Sequence, residues 1–447
     1  EYLHFNLFKE NKDTFEANTI ITRLLGLRTG ASSVTFAGTK DKRGVTVQRA
    51  CLRCVDHERL ATVNQRLQGI RLGTFAYAKE PLRLGQLKGN RFTIIVRQIQ
   101  PTAAAATLAG DALRAALQKR VIDEFAEKGF VNYFGMQRFG TRDIGTHQAG
   151  ILMLAGQWQE TINLIMAPKS GESATITAAR AQWAEHHDAK AALAMGFSSL
   201  YGSAERALLQ WYARHPELRH DPHAALFSAL PRNLRTMYLH AYQSWIWNQI
   251  VSIRLDRYGP TARKGDLVLV DPAVDDVDDE LVSAVDAASA APKEDADAVP
   301  RVAVRALTAE EAAQTSMFDV VVPKPGWNVT YPDFLLPHYQ SLMAQHQLDP
   351  LDMRRKWHEC SLPGDYRHVL GRPRDVTVAF QRYTDPQRPL VPTDLDQITE
   401  APTKFRAAPA PFQALPDVGP YDALILGFTL GTSQYATVAL REIVEAD

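Results

Sequence analysis

The order of strand-like and helix-like segments is the feature that most constrains the fold of this chain. Segments rich in β-branched residues lie towards both ends of the chain, at 45–55, 89–99, 372–383 and 421–430. Between them, residues 141–215 are mostly helical in pattern, and residues 234–255 form a helix that is apolar nearly all round, as is typical of buried helices. We therefore predict an α/β (α+β) fold in which one domain is interrupted by an insertion.

Charge is unevenly distributed along the chain. The 50 basic and 50 acidic residues cancel, but residues 271–300 hold ten acids and one lysine. Without that segment the chain has 49 basic and 40 acidic residues, a net charge of +9. We predict that 271–300 is a disordered loop inside a domain. A basic body with an acidic insert is compatible with RNA binding.

Cysteine content and hydropathy narrow the class of protein. The three cysteines, Cys51, Cys54 and Cys360, are too few for a disulfide framework and indicate a reducing compartment. His358 and Cys360 could complete a zinc site with Cys51-x-x-Cys54, but a single such pair more often consists of small strand residues, and we predict no metal. No apolar run is long enough for a membrane span, and the first residues carry no signal-peptide pattern. Because the chain does not begin with Met, we expect further residues upstream.

The stretch "FAGTKDKRGVTVQ" places one carboxylate, Asp41, among Lys40, Lys42 and Arg43. Cations stabilise the charged form of a neighbouring carboxylate, which makes Asp41 a poor general acid. Its remaining roles are nucleophile, electrostatic stabiliser or ion-pair strut. Local sequence alone favours a solvated charged turn. The stretch lacks the spacing of a phosphate-binding loop.

Two further stretches combine basic and aromatic residues. In "NYFGMQRFG", aromatic rings such as Phe134 could stack on unstacked bases, amides could read a base edge, and Arg138 could pair with a phosphate. An aromatic core cluster with a glycine bend explains the same residues. In "LRLGQLKGNRFTIIVR", Arg83, Lys88 and Arg91 surround a turn before a strand, which in isolation indicates a solvated hairpin.

These stretches, together with "AYQSWIWNQIVSIRL" and "YATVALREIV", follow the order of the TruD-type RNA pseudouridine synthases. The chain resembles the eukaryotic branch of that family nearly from end to end. The resemblance implies a pseudouridine synthase catalytic domain with a mixed, largely antiparallel sheet, interrupted by a helix-rich TRUD insertion domain. The implied divisions are 1–150 and 365–447 for the catalytic domain and 151–364 for the insertion domain, with 271–300 as its acidic disordered insert.

The resemblance also implies roles for individual residues. Asp41 corresponds to the family's catalytic aspartate, and Phe134 to the ring that stacks on the target uracil. The other implied substrate-binding residues are Asn132 in the pocket, Asn90 and Phe92 along the cleft, and Lys40, Gln137 and Arg138 at neighbouring motif positions. Gly44, where alanine is usual, and "LGTSQYAT" at 430–437 depart mildly from the family pattern. The family also has an earlier strand, so we expect the basic partner of Asp41 to lie upstream of residue 1.

The implied function is isomerisation of uridine to pseudouridine in tRNA, and also in mRNA and small nuclear RNA. The reaction needs no cofactor, and we predict none. We expect RNA as the partner, with no membrane and no obligate protein partner, and a location in nucleus and cytoplasm. Two alternatives remain: a catalytically silent RNA-binding protein or RNA chaperone on the same fold, and an N-glycoside hydrolase acting on nucleosides.

Overall fold

The structure, a computed structural model, describes residues 1–27, 34–83, 85–103, 106–140, 144–200, 203–271, 301–397 and 416–445. All of the predicted acidic insert except Asp271 lies outside these residues. The strands of the described part are β1 (Tyr2–Glu10), β2 (Thr35–Phe36), β3 (Val45–Arg53), β4 (Ile70–Ala78), β5 (Asn90–Arg97), β6 (Phe130–Val131), β7 (Leu267–Leu269), β8 (Val304–Ala306), β9 (Val320–Lys324), β10 (Asp365–His368), β11 (Leu370–Gly371), β12 (Arg374–Tyr383) and β13 (Tyr421–Leu430).

The helices of the described part lie mostly in the middle of the chain. They are α1 (Thr14–Leu24), α2 (His57–Val63), α3 (Gly110–Lys119), α4 (Thr146–Leu154), α5 (Trp158–Met166), α6 (Ala174–His186), α7 (Ala189–Met195), α8 (Ala204–Arg214), α9 (Pro222–Ala229), α10 (Arg232–Tyr258), α11 (Ala309–Ala312), α12 (Leu336–Ala344) and α13 (Ala436–Ala439). Within the described residues, none of these helices is both long and apolar enough to cross a bilayer.

The chain divides into two compact units. The first unit comprises Glu1–Glu127 and Pro373–Thr432, and the second comprises Lys128–Arg372 and Ser433–Asp447. Each unit is therefore built from two segments that are separated in sequence. The predicted domain boundaries at 150 and 364 stay a prediction, because a compact structural unit and a family domain need not share their limits.

The first sheet of the first unit has the antiparallel order β2-β3-β1-β4. Successive residues of a strand point to opposite faces, so Leu3, Phe5 and Leu7 of β1 share one face. These side chains are buried in a core that also contains Ala17 and Ile21 of α1. Asp13 caps α1 by accepting a hydrogen bond from the amide of Glu16. The face covered by α1 therefore carries the core of this sheet.

The second sheet of the first unit has the antiparallel order β12-β13-β5. Phe92 of β5 and Phe428 of β13 are directly paired, and their ring centroids lie 5.6 Å apart. The rings of Phe125 and Phe428 meet edge to face, with centroids 5.5 Å apart. Phe125 belongs to a π-helical segment, Arg120–Ala126, that continues α3. This aromatic contact joins the helix to the sheet.

The second unit is built around α10, whose 27 residues confirm the helix predicted over 234–255 and extend it at both ends. Tyr242, Ile246, Trp247 and Ile250 of α10 are fully buried. Gly150 of α4 permits a close helix crossing, because a Cβ atom there would lie 2.1 Å from the carbonyl oxygen of Tyr238. The apolar circumference of α10 is therefore used for burial, as its sequence predicts.

The sheets of the second unit are also antiparallel, with orders β10-β9-β7-β8 and β11-β6. Strands β7 and β8 flank the acidic insert in sequence. Leu269 pairs with Val304, and the amide of Val270 donates to the carbonyl of Ala303 at 2.9 Å. The two chain ends that flank the insert therefore lie side by side.

Candidate functional site

Asp41 lies in the loop that joins two adjacent antiparallel strands, β2 and β3, in the first unit. Asp41, Lys42 and Arg43 are exposed, and Lys40 is half-buried. The ammonium of Lys42 lies 3.4 Å from the carboxylate of Glu16. The solvated charged turn suggested by the local sequence is therefore present. Its role in catalysis stays a prediction.

A buried cation, Lys9 of β1, lies beneath this loop and is 0% exposed. Its Nζ donates to the carbonyl oxygens of Lys12 at 2.7 Å, Lys40 at 3.2 Å and Asp41 at 2.8 Å. Burial lowers the pKa of Lys9, and the negative charges of Asp41 and Asp13 oppose that shift. The ammonium is thus held near Asp41 within the described part of the chain.

Lys40 is subject to the same competing effects. Burial lowers the pKa of Lys40, the carboxylate of Asp41 raises it, and the charge of Lys9 lowers it. The loop around Asp41 therefore combines one exposed carboxylate with two partly or fully desolvated ammonium groups.

Two buried polar side chains hold the backbone of the same loop. The hydroxyl oxygen of Thr14 accepts a hydrogen bond from the amide of Lys40 at 3.0 Å and contacts Oε1 of Gln48 at 3.0 Å. Nε2 of Gln48 donates to the carbonyl of Gly38 at 3.1 Å. Thr14 begins α1 and Gln48 lies in β3, so a helix start and a strand meet at this loop.

The predicted residues Asn90 and Phe92 lie in the same unit as Asp41. The turn before them contacts the loop, since the amide of Gly85 donates to the carbonyl of Ala37 at 2.8 Å. Asn90 is half-buried at the start of β5, whereas Phe92 packs against Phe428. The structure therefore brings Lys40, Asp41 and the turn before β5 together, and places Phe92 in a core contact. Substrate contacts by Asn90 and Phe92 stay predictions.

The second unit contains the predicted residue Asn132, which is 0% exposed. Its Nδ2 donates to the carbonyl of His368 at 3.1 Å, and its Oδ1 accepts from Nη2 of Arg367 at 2.7 Å. Arg367 also donates from Nε to the backbone oxygen of Asn132 at 2.9 Å and from Nη2 to the carbonyl of Ser433 at 2.8 Å. Asn132 is therefore engaged within the protein, and its substrate contact stays a prediction.

Phe134 is 8% exposed and lies in an aromatic and cationic cluster. The guanidinium carbon of Arg367 lies 4.2 Å from the ring centroid, and the ring of Trp247 meets it edge-on at 5.6 Å. Asn248 fixes the backbone of Phe134 with both ends of its amide: Oδ1 accepts from the Phe134 amide at 2.9 Å and Nδ2 donates to its carbonyl at 3.0 Å. The ring is therefore packed against its neighbours and its backbone is bound by Asn248, whereas stacking on uracil stays a prediction.

Gln137 and Arg138 occupy a short 3₁₀ turn after Phe134 and differ in exposure. Gln137 is exposed, whereas Arg138 is buried and donates from Nε to the hydroxyl of Ser244 at 3.2 Å. The buried guanidinium of Arg138 can contact a phosphate only if this turn changes conformation. The RNA contacts of both residues stay predictions.

Sequence reasoning missed the side chains of α10 that hold this turn. Ser244, Asn248 and Ser252 recur every four residues along one line of α10 and contact Arg138, Phe134 and Tyr133. Polar residues at spacing i, i+4 and i+8 along one line of a largely buried helix are the signal that could have identified them.

Metal-ligating groups are not clustered in the described residues, where no three His, Cys, Asp or Glu side chains are placed to hold a metal ion. Cys51 is buried in β3 with its sulfur 2.9 Å from the hydroxyl of Thr35, and Cys54 is exposed. This fits the interpretation of Cys51 as a small strand residue. The expectation of no cofactor stays a prediction.

The chain is similar to pseudouridine synthases in sequence. The family described as "tRNA pseudouridine synthase D (TruD)" matches residues 1–385. The chain is 35% identical to "Multisubstrate pseudouridine synthase 7" of Schizosaccharomyces pombe, covering 99% of this chain and 62% of that protein. It is 34% identical to "Pseudouridylate synthase 7 homolog" of Homo sapiens, covering 100% of this chain and 59% of that protein. The chain thus spans less than two thirds of the length of these relatives.

A solved structure resembles the chain in fold. The putative tRNA pseudouridine synthase D of Methanosarcina mazei superposes with a TM-score of 0.64 at 23% identity, covering 100% of this chain and 88% of that one. The likeness confirms the predicted α/β (α+β) fold with antiparallel sheets.

Proposed function

This chain belongs to the tRNA pseudouridine synthase D (TruD) family, and on that premise we propose that it isomerises uridine to pseudouridine in RNA. We propose tRNA as a substrate, with mRNA and small nuclear RNA as further ones, a choice supported by the multisubstrate name of the fission-yeast relative. We further propose that it acts in nucleus and cytoplasm without an obligate protein partner, as the resemblance to the eukaryotic branch implies.

The proposed chemistry rearranges one nucleoside without net addition or loss of atoms. The bond from C1′ to N1 breaks, the uracil rotates, and a bond from C1′ to C5 forms while C5 loses a proton and N1 gains one. An ionised carboxylate serves such a reaction as nucleophile or as base at the ribose. The observation that carries the proposal is the exposed carboxylate of Asp41 on a loop whose backbone is held by buried side chains.

RNA binding is supported by exposed cations of the first unit. Lys42, Arg43, Lys88, Arg91 and Arg374 are all exposed in that unit. Lysine and arginine bind phosphates, and the counterions released on binding make RNA affinity fall as salt rises. We propose that these residues contact the RNA backbone and position it without reading its sequence.

The target uridine must leave the base stack, which costs a few kcal/mol. We propose that the ring of Phe134 offsets this cost by stacking on the uracil. Because Arg367 lies over one face of that ring, the uracil would use the opposite face or displace the guanidinium.

The experiment that tests the function is chemical mapping of pseudouridine in tRNA, mRNA and small nuclear RNA incubated with the chain. The variant Asp41→Ala should lower the rate by about 10²-fold or more, because it removes the reacting carboxylate. Asp111→Ala is a matched control, since it removes an exposed carboxylate of the same unit outside the loop. That control should retain the wild-type rate.

Other results would select another function. RNA binding without any pseudouridine, equal in wild type and Asp41→Ala, would indicate a silent RNA-binding protein. Release of free uracil would indicate an N-glycoside hydrolase. Full activity of Asp41→Ala would exclude the proposed role of this carboxylate.

A further inference from the structure

We propose that Lys9, Thr14 and Gln48 are positioning residues that hold Asp41 in its reactive placement. They are called the anchor set below. The inference rests on the proposed function, since it assigns a role in the reaction to side chains that lie beneath the loop and have almost no exposed surface for RNA. All three are buried, at 0%, 1% and 7% exposure in that order.

Lys9 is the central member of the anchor set. An ammonium group has three N–H donors, and the three carbonyl oxygens of Lys12, Lys40 and Asp41 lie within hydrogen-bond distance. A charge taken out of water is costly unless its hydrogen bonds are made, so this full set of acceptors explains how Lys9 is tolerated in the interior. Lys9 thereby ties the turn before α1 to the two peptide groups that flank Asp41.

Thr14 and Gln48 complete the restraint on the loop backbone. Thr14 holds the amide of Lys40, and Gln48 holds the carbonyl of Gly38. The hydroxyl of Thr14 also donates to Oε1 of Gln48 at 3.0 Å, which links the two side chains. Hydrogen bonds to the backbone therefore fix the residues just before Asp41 and Asp41 itself, although the loop surface is exposed.

The charge of Lys9 adds an electrostatic role to the structural one. Its attraction to Asp41 opposes the lowering of the Lys9 pKa by burial, which means that the ammonium and the carboxylate interact. Lys9 thus places a positive charge beside Asp41, with its Nζ 2.8 Å from the backbone oxygen of that residue.

Position matters for this carboxylate because displacement of a reacting group by about 1 Å can lower a rate by about 10²-fold. A group that only stabilises the fold would change the melting temperature and leave the rate of folded enzyme unaltered. The test therefore separates the chemical rate from RNA affinity and from stability.

The experiment compares Lys9→Met with wild type in single-turnover assays at saturating RNA, alongside RNA affinity and thermal melting. Lys9→Met should lower the rate of folded protein by about 10²-fold with unchanged RNA affinity, because it removes the loop restraint and the nearby charge. Arg71→Met is the matched control. Arg71 is a buried cation in β4 of the same sheet that donates to the carbonyls of Leu67 and Ile70, outside the loop. The Arg71→Met variant should have a lower melting temperature and keep the wild-type rate.

A second pair of variants keeps the inference testable if Lys9→Met does not fold. Thr14→Val removes the hydroxyl with little change of shape and should lower the rate about tenfold, since the hydrogen bonds between that hydroxyl and the Lys40 backbone are lost. Thr14→Ser restores the hydroxyl and should recover the rate. Hydrogen exchange of the Lys40 amide should be faster in Thr14→Val than in Thr14→Ser.

The outcomes separate this inference from the proposed function. Wild-type rates for both Lys9→Met and Thr14→Val, in a wild type that forms pseudouridine, would overturn the anchor set and leave the function intact. A rate loss that matches a loss of RNA affinity would also overturn it. A wild type that forms no pseudouridine would instead overturn the proposed function.

Discussion

At the scale of single residues, a buried cation binds the backbone of the segment that carries each of two candidate residues. Lys9 in the first unit and Arg367 in the second donate to backbone oxygens of the segments that carry Asp41 and Phe134. Charged side chains are rarely buried without such partners. The backbone segments of Asp41 and Phe134 are therefore each bound by a buried cation, Lys9 and Arg367 respectively.

Arg367→Lys should destabilise the second unit. The guanidinium of Arg367 bonds Asn132 and Ser433 from two different nitrogens, and a lysine has a single nitrogen that cannot reproduce this fork. We expect the free energy of unfolding to fall by about 2 kcal/mol, the cost of losing hydrogen bonds from a charged group. Urea denaturation measures the change.

Arg372→Lys provides the control for that prediction. Arg372 is exposed, and its guanidinium lies over the ring of Phe318 at 4.1 Å. The same replacement there should change stability by no more than about 0.5 kcal/mol. Equal losses of unfolding free energy in Arg367→Lys and Arg372→Lys would show that the forked hydrogen bonds of Arg367 do not add to stability.

The sequence predicts some of these residues and not others. The exposed turn around Asp41 is evident from its run of charges, because such runs are usually solvated. Lys9 was missed because a lysine is expected at the surface, although it follows Leu3, Phe5 and Leu7 at the same strand spacing of two. Arg367 follows no comparable pattern, since its partners lie far away in sequence.

At the scale of secondary-structure elements, periodicity predicts long elements well and their interruptions poorly. Residues 103–128 are rich in Ala and Leu, which favours one continuous helix, but the helix begins only at Gly110. From Arg120 it continues as a π-helix, a change of hydrogen bonding that residue types do not indicate. Strand β4 was missed. Ile70, Arg71 and Leu72 are all buried, and the pairing with β1 is irregular, so the strand lacks simple alternation.

Gly150→Ala should weaken the crossing of α4 and α10. The added Cβ would lie 2.1 Å from the carbonyl oxygen of Tyr238, so the two helix backbones would have to separate. We expect a loss of about 1–3 kcal/mol in the free energy of unfolding, which is typical of overpacking. Thermal or urea denaturation measures it.

Gln148→Ala, on the exposed side of the same helix, is the control. Alanine is a good helix former, so stability there should be unchanged or slightly higher. A stable Gly150→Ala protein would show that the two helices adjust without cost.

At the scale of the whole molecule, the distribution of charge follows directly from the sequence. The rest of the chain has a net charge of +9, which the acidic residues of 271–300 cancel. Opposite charges within one molecule reduce its attraction for RNA, and the reduction weakens as salt rises. The contacts of the insert cannot be derived from composition, because composition carries no positional information.

Deletion of residues 272–300 should leave folding intact and tighten RNA binding at low salt. The strands on either side, β7 and β8, already pair, so the deletion leaves a short turn between them. Thermal melting and RNA titrations at several salt concentrations measure the two effects. The affinity of the undeleted chain should fall steeply with salt, because several phosphate contacts are expected.

A chain in which the acids of 272–300 are replaced by their amides is the matched control, since it keeps the length and removes the charge. It should bind RNA as tightly as the deletion variant. Loss of folding on deletion would show that the insert is structural, and a flat response to salt would contradict a basic RNA-binding surface.

The paired ends of β7 and β8 have a consequence for the evolution of this chain. Closing a longer loop costs only about 0.6 kcal/mol for each doubling of its length. Because Leu269 pairs with Val304, we expect related proteins to gain, shorten or exchange the segment between these strands without rebuilding the sheet. We expect sequence length to vary more at this hairpin tip than at the loop that carries Asp41, whose backbone is bound at several points.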